Sequence, residues 1–160
     1  MVKVKHTVLA ADRPWQGGGV SGSFAVAAAV VFVWLGMVLA ISFLEAPLKF
    51  RAPGVTIPLG LGIGRLVFRA LNAVEVALAV GLGICLGVGR PASGTLAAAG
   101  VAIVVLVGQL LAVRPALSRR SDRVLAGEDA PRSHSHYVYA GLELVKVAGL
   151  LTAGVLLLGG

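Results

Sequence analysis

Between Arg13 and Glu45 the chain passes 31 residues without a charged side chain, and between Arg90 and Arg114 it passes another 23. A hydrocarbon layer about 30 Å thick is crossed by roughly 20 apolar residues of helix, so each run is long enough to span it. Two further apolar segments, Arg69 to Arg90 and Tyr137 to Leu158, hold only Glu75, Glu143 and Lys146 as charged groups within them. Backbone polar groups in lipid must be satisfied within their own segment, which selects helices. The sequence therefore predicts an all-α, integral membrane four-helix transmembrane bundle occupying 22–160, with spans at about 23–44, 67–88, 93–113 and 137–158. A composition of 58% hydrophobic and 13% charged residues leaves little for a separate soluble domain. Residues 1–21 read as a flexible extracytoplasmic tail, because Pro14 and three consecutive glycines precede the first span, which is too long for a signal-peptide core.

Cation placement sets the orientation. The connections after the first and third spans carry nine lysines and arginines, from Lys49 to Arg69 and from Arg114 to Arg132, against Lys3, Lys5, Arg13 and Arg90 on the other side. Lys and Arg resist translocation, so both connections are expected in the cytoplasm and both termini outside, in a multi-pass protein of the cell membrane. The same asymmetry and anionic headgroups account for the net charge of +7, and no nucleic-acid partner is expected. The segment from Ala46 to Arg65 is rich in Pro and Gly and reads as a hinge-like interfacial loop, while Arg114 to Arg132 reads as a polar connection with a short helix ended by Pro131. The abundance of Ala, Gly, Val and Arg suggests a bacterial chain.

An ionisable side chain inside a span is expensive and by default marks a functional position. Glu75 is expected about 14 Å into the second span. Lys146 follows Glu143 by three positions and Glu75 follows Asn72 by three, so each pair shares a helix face. With Gln109 of the third span they form an expected intramembrane polar cluster: Asn72, Glu75, Gln109, Glu143 and Lys146. Either the cluster fixes helix register, or one glutamate exchanges a proton or cation during a transport cycle.

Other features carry less chemistry. His134 and His136, near Glu128 and Asp129, could contribute to a metal site, but no third ligand is fixed by spacing. Cys85, the one cysteine, excludes an internal disulfide and reads as a small hydrophobe. No hydrolase or metalloprotease motif is present, no catalytic residue is assigned, and the chain reads as a non-enzyme with no cofactor expected. Gly83 with Gly87, and Gly149 with Ala153, have the spacing for close helix contact within one chain or between protomers.

Glu75 follows Pro47, and Glu143 follows Pro115, by the same 28 positions, and Arg51 and Arg119 share the 68-residue offset. This hints at two duplicated helical hairpins, related by an axis along the membrane normal. The string F-L-E-A-P-L-K-F, Phe43 to Phe50, resembles the F-x-x-x-P-x-x-F element of the family of small four-helix membrane proteins that includes human transmembrane protein 205. That resemblance implies four spans, structural positions at Phe43, Pro47 and Phe50, and a role in tolerance of toxic compounds; the offset adds Pro115 as their counterpart. Asn72 to Leu111 is also similar to DoxX-like membrane proteins, which implies membrane redox systems.

The leading expectation is small-solute, proton or metal-ion handling through the polar cluster. The rival is an accessory or structural subunit of a larger membrane complex, such as a respiratory or redox one. Partners are the lipid bilayer and either a second copy or such a complex.

Overall fold

The computed structural model describes residues 22–127 and 135–159. These residues form four helical rods, each long and apolar enough to cross a membrane: α1 (Gly22–Arg51), α2 (Ile57–Gly89), α3 (Ser93–Leu125) and α4 (Ser135–Gly159). The tail over 1–21 and the segment containing His134, Glu128, Asp129 and Pro131 lie outside the described residues.

Around the bundle, α1 packs on both α2 and α4, and α3 packs on α4. The seam between α2 and α3 is loose, and beside the Arg90–Pro91 connection Gly83, Gly87 and Gly100 line a shallow groove. An added Cβ at Gly83 or Gly87 would meet nothing within 4 Å, so the expected close contact at this pair is not made within the chain. At Gly149 it is made: a Cβ there would stand 3.0 Å from the Ala98 carbonyl oxygen, so the missing side chain lets α4 press against the α3 backbone.

The connections are shorter than the sequence suggested. α2 starts at Ile57, not after Arg65, so the Gly-rich stretch is helix and the α1–α2 connection shrinks to 52–56. Thr56 caps this start, accepting from the Leu59 N–H at 3.4 Å, and Pro58 sits in the first turn, where its missing N–H is harmless. Packing accounts for two of the glycines in this stretch: a Cβ at Gly60 would fall 2.3 Å from the Phe50 ring and one at Gly64 would fall 2.8 Å from Lys49 Nζ, whereas one at Gly62 would meet nothing within 4 Å. At the other end α2 stops on Arg90, left-handed at φ 48°, whose N–H returns to the Leu86 carbonyl before Pro91 forbids continuation. The polar helix expected after the third span is Arg114–Leu125, the last part of α3, and it ends at Leu125, six residues before the Pro131 expected to stop it.

Two rods carry a wide turn at one position. In α1 the Ala46 N–H reaches back five residues to the Ile41 carbonyl, and in α3 the Arg114 N–H reaches back five to Gln109. Each π turn ends one residue before a proline, Pro47 or Pro115, and both turns share the 68-residue offset. Proline cannot donate to the turn before it, and a π turn is one way to absorb that loss without a sharp break.

The apolar core fills the half of the bundle near Gly22, Gly89 and Gly159. Val31, Leu82, Ala102, Leu150, Ala153 and Leu157 are each almost fully buried there. Cys85 packs at its edge as a small apolar group.

Candidate functional site: a buried ammonium beneath an open cavity

Four of the five residues expected to converge meet at one point, and the fifth, Asn72, is buried on α2 three positions from Glu75 but bonds elsewhere. Glu75, Glu143 and Lys146 are fully buried, Gln109 is 2% exposed and Asn72 is 7% exposed. Lys146 Nζ donates to Glu75 Oε1 at 2.5 Å, to Gln109 Oε1 at 2.9 Å and to Glu143 Oε1 at 3.3 Å. One ammonium thus spends its three N–H donors on three oxygens from α2, α3 and α4. An ammonium stripped of water is tolerated only with such complete pairing.

A further member went unrecognised in the sequence. Trp34 of α1, fully buried, donates its indole N–H to the same Glu75 Oε1 at 2.9 Å, so all four rods contribute. Trp34 lies in a run without charged residues, where nothing nearby in the sequence marks it as polar. The usable signal is that a buried indole needs an acceptor, and few acceptors exist inside a span.

Asn72 bonds toward the arginine-bearing end of the bundle. With its amide oriented by hydrogen bonding, its nitrogen donates to the Phe68 carbonyl at 3.1 Å and its oxygen accepts from Arg114 Nε at 2.7 Å and Nη1 at 3.1 Å. The α3 π turn positions both neighbours at once. Its first residue, Gln109, supplies an oxygen to Lys146, and the residue closing it, Arg114, supplies the guanidinium to Asn72.

Charge is unequal within contact distance. Glu75 and Glu143 share one ammonium, and Glu75 Oε2, Glu143 Oε2 and Gln109 Nε2 are buried without a hydrogen-bond partner. Glu143 Oε2 keeps an ionic contact to Lys146 at 3.2 Å. Arg114 makes no salt bridge to either carboxyl among the described residues, so the contact set holds two acidic side chains against one basic one.

A cavity of about 490 Å³ opens at the arginine-bearing end and is lined by all four rods, with Glu143 among its lining residues. Phe43, Pro47, Phe50 and Phe68 form apolar wall, and Lys49, Arg65 and Arg114 supply cations. Phe43, Pro47 and Phe50 therefore sit where the cavity is shaped, while Pro115 lies in the first turn after the α3 π turn. Lys49 pairs with Glu45 at 3.3 Å and stacks 5.5 Å from the Phe68 ring centre, and Arg65 pairs with Asp122. On the opposite side of the cluster the apolar core begins, so access runs from one end.

The metal reading cannot be placed on this geometry, since His134 lies outside the described residues and nothing is described of the His136 side chain. Among the described residues no three His, Cys, Asp or Glu side chains converge to hold a metal ion. No known protein family matches the chain, and no curated protein or solved structure matches it.

Proposed function

We propose that this is a four-span membrane protein that handles protons at the Glu75–Lys146–Glu143 group, loaded and unloaded through the cavity. The observation that carries the reading is Lys146 Nζ lying among oxygens of Glu75, Gln109 and Glu143 at the inner end of an open cavity. Three converging oxygens make a place for a cation, and the chain fills it with its own ammonium. That favours proton exchange over metal-ion passage. One proton would move the contact group between a net charge of −1 and neutrality, and Glu143, itself fully buried, is the member that borders the cavity.

In this reading the arginine-bearing end faces the cytoplasm, as nine cations against four favour, and both termini lie outside. The two π-turn and proline units at one offset support an origin in two duplicated hairpins. The test is proton flux in liposomes loaded with a pH-sensitive dye and driven by a potassium diffusion potential. Glu75→Gln and Glu143→Gln are expected to insert and fold yet lose the flux, and wild-type flux in both variants would refute the proposal.

A further inference from the structure

The geometry points to the cavity above Glu143 as a binding site for a phosphate-headed amphiphile. Its depth is the first argument. Arg65 lies ten residues before Glu75 on α2, roughly 15 Å nearer the end of the bundle at ~1.5 Å per residue. With α2 33 residues long, or about 50 Å against a hydrocarbon layer of about 30 Å, this end reaches headgroup level.

The lining is the second argument. Lys49 and Arg65 are each already held by a carboxylate, Glu45 and Asp122. Arg114 has no carboxylate within salt-bridge distance among the described residues; Asn72 takes its Nε and Nη1, fixing the guanidinium plane and leaving further N–H groups. A planar fork held in this way suits a phosphate, which accepts two parallel N–H bonds. Arg65 Nε and Ser42 Oγ also line the cavity, buried and without a hydrogen-bond partner, so two more donors wait for an acceptor. The walls above them are apolar, with Phe43 and Phe50 at the exposed rim, so the site takes a charged head and an apolar body together.

Such a head comes either from an anionic phospholipid or from a soluble organic phosphate, and one experiment separates them. The full chain in phosphatidylcholine nanodiscs is titrated calorimetrically with octyl phosphate. Saturable binding is expected, weakened at least about tenfold by Arg114→Gln, the loss of one charge-assisted contact. Ser121→Leu, which narrows the cavity without removing a charge, is expected to weaken it too and covers the case in which Arg114→Gln unfolds. Arg119→Gln, exposed in the same segment, leaves binding unchanged. Phosphatidic acid added to the nanodiscs assigns the site to a lipid head if it displaces octyl phosphate, and to a soluble phosphate if it does not. No binding by the wild type, or equal binding in the wild type, Arg114→Gln and Ser121→Leu, overturns the inference. The assay reads binding alone, so its result is independent of whether Glu75 and Glu143 move protons.

Discussion

Trp34 and Glu75, 41 positions apart in the chain, are joined by a 2.9 Å hydrogen bond in which the indole N–H donates to the carboxylate oxygen that also receives Lys146. That one oxygen ties α1 to α2 and α4. It also orients Glu75, leaving Oε2 buried without a hydrogen-bond partner.

Replacing Trp34 by Phe keeps most of the apolar volume and removes the donor. Glu75 Oε1 retains Lys146, so the expected loss is about 1–3 kcal/mol, the range for a buried bond to a charged group. Unfolding of the detergent-solubilised protein measures it, and a stability equal to wild type would show that the indole is not engaged with Glu75.

Lys146→Met is expected to be far more damaging, because it strands two carboxyls in a dry site. Breaking a buried ion group by removing one partner typically costs about 3–5 kcal/mol, whereas replacing the whole group by neutral side chains is often tolerated. The triple variant Glu75→Gln, Glu143→Gln, Lys146→Met should therefore recover much of the lost stability. A triple variant no better than Lys146→Met alone would mean that the lysine stem, and not its charge, holds the bundle.

How much of this arrangement was legible follows from where each signal resides. Glu75, Glu143, Lys146, Gln109 and Asn72 stand out because polar side chains are rare in spans, and helix spacing alone puts Glu143 and Lys146 on one face. Arg114 was hidden by its company, one of nine cations that topology already explained, and its bond to Asn72 exists only once α2 and α3 meet. The Gly-rich stretch from Gly60 to Gly64 looked like a loop because Gly60 and Gly64 have a use only in the presence of Phe50 and Lys49, which pack into the spaces they leave. Thr56 and Pro58 did announce a helix start there, through cap chemistry readable without any tertiary contact. The π turns left only their prolines in the sequence.

The glycines can be sorted by what surrounds them. Gly149→Leu drives a side chain into the Ala98 and Ala102 backbone, which cannot swing aside, and an overpacking cost of about 1–3 kcal/mol or more is expected. Gly83→Ala and Gly87→Ala meet open space and should be neutral or stabilising by up to about 1 kcal/mol, as a helical Gly-to-Ala change is. Crosslinking in the membrane adds a second readout: if the groove between α2 and α3 seats a second copy, the two Ala variants lose dimer while gaining monomer stability.

The pair at the cavity mouth is expected to matter least for stability. Arg65 and Asp122 join α2 to the polar end of α3, but the Asp122 side chain is 61% exposed and the Arg65 side chain 32%. Water and salt screen such a contact, and exposed pairs are worth about 0–1 kcal/mol. Asp122→Asn should therefore shift the unfolding midpoint little, and by less still at high ionic strength. It also frees Arg65, adding a cation to a cavity that already presents Arg114. Octyl phosphate is thus expected to bind Asp122→Asn more tightly than wild type, with the gain shrinking as salt rises. Weaker binding in this variant would mean that Asp122 positions Arg65 for the ligand and does not compete with it.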